Sequence, residues 1–129
     1  MKYVCLVYLV EKELEAMSES EADACTDESL AYDETLRRTG QLVLAHALEP
    51  VEMATTVRVR RGKVITTDGP FAETKEQLAG FYLLDCKDLD EAIEWAAKIP
   101  GSEMGSVEVR PIMDYEARDA ARKAATATA

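Results

Sequence analysis

The chain is poor in the residues that bridge, ligate or transfer. It has three cysteines, Cys5, Cys25 and Cys86, none in a CxxC pair, and one histidine, His46. An odd cysteine count without metal spacing argues against a disulfide framework. It leads us to expect free thiols packed as small hydrophobes in a reducing, cytoplasmic setting. One histidine without clustered cysteines or paired carboxylates makes a poor metal site, so neither a metal nor a cofactor is expected. No glycine-rich phosphate loop and no serine elbow is present, which leaves nucleotide binding and acyl transfer without local support. The apolar run from Val4 to Val10 is too short to span a bilayer, and no small-residue cleavage site separates it from Glu11-Lys12-Glu13. No targeting signal is expected.

Basic charge is also scarce, and unevenly so. Between Glu11 and Glu34 ten acidic residues stand against Lys12 alone, a net −9 out of the chain's −10. Such a face repels phosphate backbones and anionic headgroups, so nucleic acid and membrane are poor partners. Its simplest role is a solvated helix face. At 129 residues, 47% hydrophobic and 31% charged, the sequence fits one soluble domain that folds without a staple.

Residues Tyr3 to Val10 are β-branched and aromatic, and read as a central strand covered on both faces. Ser18 with Glu21 is a capping box, which predicts a helix to Arg38 with Gly40 as its stop and a thin stripe of Ala22, Cys25, Tyr32 and Leu36. Leu42 to Leu48 alternates, setting Leu42, Leu44, His46 and Leu48 on one face. Thr55 to Arg60 and Val64 to Thr67 flank Arg61-Gly62, a hairpin whose outer face carries Arg58 and Arg60. Thr74 and Gln77 are spaced to cap a single helical turn. Phe81 to Cys86 is a strand entered through Gly80, where a bulge or close backbone approach is expected. Asp88 and Glu91 open a second helix that buries Leu89, Ala92, Ile93, Ala96 and Ile99, with Pro100-Gly101 as its stop. Val107 to Ile112 is a last strand. The domain is expected over residues 1–114, with an alanine-rich tail at 115–129 that frays.

Two strand-helix-strand halves closing on one antiparallel sheet give an α+β, ferredoxin-like plan with both helices on one face. The opposite face would lie bare, and a second copy pairing by two-fold symmetry is expected to cover it.

The stretch Thr55-Thr56-Val57-Arg58-Val59-Arg60, then Thr67-Asp68-Gly69-Pro70-Phe71-Ala72-Glu73-Thr74-Lys75-Glu76-Gln77, resembles the signature of the YCII-related, or DGPF, family. Gly80-Phe81-Tyr82-Leu83, Asp88-Leu89-Asp90-Glu91-Ala92 and Ser106-Val107-Glu108-Val109-Arg110-Pro111 look like its continuation. The resemblance implies a dimeric α+β barrel, and its DGPF branch is often encoded beside extracytoplasmic-function sigma factors. Compact members carry a histidine on the first helix and a nearby aspartate, proposed as an acid/base pair. The first helix here has no histidine, so that pair does not carry over.

The residues themselves offer His46 and Asp68 as candidate catalytic groups. Imidazole titrates near neutrality, and a lone histidine on an apolar face is otherwise a packed core residue. Asp68 sits in turn chemistry, where its carboxylate either caps backbone N–H groups or faces a pocket. Phe71, Glu73, Lys75, Glu76 and Arg58 are the candidate ligand-binding residues, charges gathered around an aromatic anchor. The alternative for the motif is a fold or dimer staple, with Phe71 plugging the core. Two functions follow. One is a small-molecule-binding protein acting as a cofactor-independent acid/base enzyme. The other is a non-catalytic dimeric interaction or regulatory protein linked to an extracytoplasmic-function sigma factor system.

Overall fold

A computed structural model describes residues 1–127 of the chain. Its strands are β1 (Lys2–Leu9), β2 (Leu42–Ala47), β3 (Thr55–Arg60), β4 (Lys63–Asp68), β5 (Gln77–Asp85) and β6 (Ser106–Pro111). Its helices are α1 (Glu11–Glu15), α2 (Glu19–Thr39), α3 (Leu89–Ala97) and α4 (Tyr115–Ala127). The main sheet runs β2-β5-β1-β6, with every pairing antiparallel. This is the ferredoxin-like order, with α2 and α3 as the crossovers. The β3–β4 hairpin forms a separate two-stranded sheet inserted between the second and third strands of that plan.

Local chemistry sets the element ends. Ser18 accepts the Glu21 backbone N–H at 3.2 Å, and the Glu21 carboxylate reaches back to the Ser18 backbone, a complete capping box. Gly40 ends α2 at φ 88°, a left-handed conformation that glycine adopts without a Cβ penalty. Asp88 caps α3 by accepting the Glu91 N–H at 2.9 Å.

The core lies on one sheet face. Tyr3, Cys5 and Val7 of β1 and Tyr82 and Leu84 of β5 pack there beneath Leu36, Ala92, Ala96 and Ile99. The alternate residues of β1 and β5 (Val4, Leu6, Tyr8, Phe81 and Leu83) turn to the other face and are half-buried. No helix covers that face among the described residues, so β1 is sheathed on one side rather than two.

Three local expectations are corrected. The β2–β5 register slips between Leu42 and Leu44, with Val43 as the extra residue. A bulge shifts alternation by one position, so Leu42 opposes core Leu84 while Leu44 and His46 oppose Leu83 and Phe81 on the open face. On α3 only Ala92 and Ala96 are buried, with Ile99 buried just beyond the helix end. Leu89 and Ile93 stay exposed, where α3 lies over β1 and the edge strand β6. Thr74 starts no helical turn. Its hydroxyl bonds the Glu76 carbonyl at 2.5 Å, and the Gln77 amide donates to the Thr74 carbonyl at 2.6 Å, closing a tight loop into β5 instead. The expected tail is helical over Tyr115–Ala127, which form α4, capped where Asp114 accepts the Ala117 N–H at 2.9 Å; residues 128 and 129 of that expected tail lie outside the described residues.

Gly80 matches its expectation. β5 bulges against Val7 and Tyr8, and a Cβ at Gly80 would come within 2.8 Å of the His46 carbonyl oxygen. Only glycine lets β2 lie that close.

Candidate functional site

Helix α2 presents Cys25, Ser29, Tyr32, Asp33 and Leu36 inward, at helical spacing. The stripe mixes polar with apolar groups, so it does not fill the space above β2 and β5. A cavity of about 190 Å³ remains. Val7, Leu9, Ala45, Ala47 and Ile99 give it apolar walls, and Gly80 and Gly101 leave it room. Ser29, Asp33 and Tyr82 supply its polar groups.

Asp33 is the unusual member. Its Oδ1 is buried and has no hydrogen-bond partner among the described residues. An unpaired buried carboxylate oxygen is costly, and natural folds keep few of them. The Tyr82 phenol is pushed well above its ordinary value, first by burial, then by the Asp33 carboxylate as neighbouring charge and as hydrogen-bond acceptor. Tyr32 is held high in the same direction, chiefly by burial and then by Tyr82. Its hydroxyl donates to the Trp95 carbonyl, tying α2 to α3. Burial, with Cys86 nearby, pushes the Cys5 thiol up to about 11, and Cys86 is raised by burial as well. Both thiols are therefore protonated at neutral pH and poor nucleophiles.

Of the sequence candidates only His46 borders this cavity; the others fall elsewhere. The His46 side chain is exposed on the open face, its ring 5.9 Å from that of Phe81. Asp68 is exposed at the end of β4 and lines neither cavity that His46 borders. The two are not gathered in one pocket, because β4 belongs to the separate hairpin and not to the sheet that carries His46. Nor does the Asp68 carboxylate hold its own turn. The turn is held by the Gly69 N–H to the Ala54 carbonyl at 2.7 Å and by the Thr56 hydroxyl to the Gly69 carbonyl at 2.8 Å.

Phe71 is 80% exposed and plugs no core. It borders a wider cleft of about 560 Å³ with Met53, Pro70, Tyr8 and Leu78. Glu73 and Lys75 are exposed outside that cleft. Glu76 accepts the Ser106 hydroxyl, at 3.0 and 3.2 Å, and so anchors the loop to β6. Arg58 is half-buried, on the hairpin face nearer the body rather than the outer one. Asp33 escaped the sequence reading because it sits inside an acidic run. The signal that finds it is phase, since Ser29 and Asp33 occupy inward positions between Cys25 and Leu36.

Fold and cavity together define a ferredoxin-like α+β domain with a carboxylate-bearing pocket between its helix layer and its sheet. The chain belongs to the YCII-related family, whose model matches residues 1–116. A Rhizobium meliloti (strain 1021) protein described as uncharacterized is 40% identical over 118 residues, covering 90% of this chain and 95% of that protein. Among solved structures the fold is similar to that of 5-chloro-2-hydroxyhydroquinone dehydrochlorinase from Burkholderia phenoliruptrix, in complex with 2,5-dihydroxybenzoquinone. The TM-score is 0.54 at 13% identity, over 90% of this chain and 97% of that one. Among the described residues no helix is long and apolar enough to cross a membrane, and no group of three metal-ligating side chains is present.

Proposed function

We infer that the chain binds a small, largely apolar molecule with at least one O–H or N–H donor in the α2–sheet cavity, and that Asp33 is its hydrogen-bond and proton acceptor. The single observation that carries this reading is the buried, unpartnered Oδ1 of Asp33 at the wall of a cavity whose lining is otherwise mostly apolar, with Ser29 and Tyr82 beside it. A ligand donor would satisfy that oxygen. Size agrees: in another protein about 150 Å³ of dry cavity holds a benzene ring, and this one has about 190 Å³. The dehydrochlorinase of the same fold binds a dihydroxylated ring, the class of molecule that would fit here. An acceptor carboxylate beside an apolar wall suits cofactor-independent acid/base chemistry, with Asp33 in the role the sequence suggested for His46 and Asp68.

The open face, with Val4, Leu6, Leu44, Phe81 and Leu83, supports pairing of two copies through their sheets. Light scattering at micromolar concentration should return twice 14.3 kDa. A single-chain mass would end the dimer reading while leaving the pocket untouched. For the pocket itself, rings that keep a neutral O–H at pH 7, phenol and hydroquinone, should be titrated by calorimetry against the wild type and Asp33→Asn. Heat in the wild type that is lost in the variant supports the reading. Equal heat in both overturns it.

A further inference from the structure

The β3–β4 hairpin is built to be covered, and its own chain does not cover it. Its two strands pair with each other and with no strand of the main sheet. All six residues of β4 are exposed. A lone two-stranded hairpin is marginal in water unless something packs against it. The tip is nonetheless well made. Arg61 and Gly62 both have positive φ, 53° and 74°, the two-residue turn that matches strand twist.

The register divides the hairpin into two faces. Val57 and Val59 stand with Val64 and Thr66 on one face, and the three valines are 57–69% exposed. Arg58, Arg60 and Lys63 lie on the other, half-buried Arg58 included, and Arg61 is at the tip. From Thr55 to Thr67 there are four cations and no acid, a net +4 on a chain of net −10. None of the four has an acidic partner among the described residues. At the hairpin base Met53 and Phe71 are also largely exposed. The arm, the tip and the DGPF loop thus form one module that is both apolar and basic.

The complement is on the same chain. Residues 11–34 carry the net −9, and Asp23 and Asp27, exposed and four apart on α2, share one helix face. We propose that the β3–β4 hairpin is a docking arm that seats on a second copy of this chain, its basic edge against that copy's acidic α1–α2 surface. This extends the sheet-paired dimer inferred above and rests on it. In a two-fold assembly each copy gives one arm and receives one, so the contact is made twice. The valine face supplies apolar burial, and the charges fix partner and register.

A charge exchange tests this. One variant carries Arg60→Glu, Arg61→Glu and Lys63→Glu; the other carries Asp23→Lys and Asp27→Lys. By sedimentation at 50 mM NaCl each alone should dimerise at least about tenfold more weakly than the wild type, and the equimolar mixture should regain tight association, since each arm then meets an opposite charge. Wild-type dimerisation should itself weaken about tenfold between 50 and 500 mM NaCl, a readout that needs no variant to fold. Dimerisation unchanged in the arm variant and insensitive to salt overturns the arm while leaving the sheet-paired dimer standing. So does an arm variant that keeps wild-type dimerisation but loses retention on a foreign polyanion such as heparin, which would assign the arm to another partner. A monomeric wild type overturns both.

Discussion

The Tyr32 and Tyr82 rings meet edge to face, centroids 5.9 Å apart and planes at 69°. One comes from the long acidic helix and the other from the central strand β5, and Asp33 follows Tyr32 directly. Aromatic pairs of this geometry add about 0.5–1.5 kcal/mol beyond their burial. Packing that holds α2 to the sheet therefore also sets the position of the pocket carboxylate.

The alkaline limit of stability follows from the same packing. Cys5, raised from 9.0 to about 11, and both tyrosines, raised from 10.0, are held neutral by burial. A group whose folded pKa is raised contributes stability fully present below its unfolded pKa and lost as pH climbs toward the folded value. Denaturant midpoints should fall from pH 9 to 11, the tyrosines adding to the loss above pH 10. Cys5→Ala should flatten the early part of that fall. An identical slope in the variant would show that Cys5 titrates normally.

Gly80→Ala should destabilise the fold by about 1–3 kcal/mol, because the new methyl meets backbone rather than a side chain that can swing away. Its nearest neighbours would be the His46 carbonyl at 2.8 Å and the Ala47 Cα at 3.2 Å. Loss of amide protection confined to β2 and β5 is the expected exchange signature. A wild-type melting temperature would mean that the edge strand gives way freely.

The DGPF turn separates two residues that its motif makes look alike. Thr56→Val removes the hydroxyl that holds the Gly69 carbonyl and should cost about 0.5–1.5 kcal/mol of local stability, read as faster exchange of the Gly69 amide. Asp68→Ala should cost less than about 0.5 kcal/mol, as at an ordinary surface site. The reverse order would restore Asp68 as the cap of its own turn.

Features written in short-range chemistry were legible in the sequence. The capping box at Ser18, the stop at Gly40, the hairpin around Arg61-Gly62 and the close approach at Gly80 each depend on one to four neighbouring residues. So was the ferredoxin-like order, because alternation and helical spacing switch at the right places. Features that depend on what lies opposite were not. The slip at Val43 is set by the β5 partner and turns Leu42 away from His46. The exposure of Leu89 and Ile93 depends on where α3 sits over the sheet edge, and that of Phe71 on what packs against the hairpin base. Asp33 was hidden because an acid among acids reads as solvated, and only its phase against Leu36 betrays it. His46 and Asp68 were chosen for their chemistry, and the topology puts them on different sheets.

The most direct test of the pocket is residue-resolved. Amide and side-chain chemical shifts of the wild type and Asp33→Asn should be followed by NMR while neutral hydrogen-bond-donor fragments, phenol first, are added. Because Asn keeps a carbonyl oxygen for the Tyr82 phenol and removes a charge beside a buried wall, the variant should fold about as stably as the wild type. The wild type should show saturable shifts centred on Ser29, Asp33, Ala45 and Tyr82, and Asp33→Asn should weaken them at least about tenfold, as expected when a charged acceptor is replaced. Shifts that cluster instead around Phe71 and Met53, or that survive Asp33→Asn at wild-type affinity, would contradict the assignment of Asp33 as the acceptor of a bound small molecule.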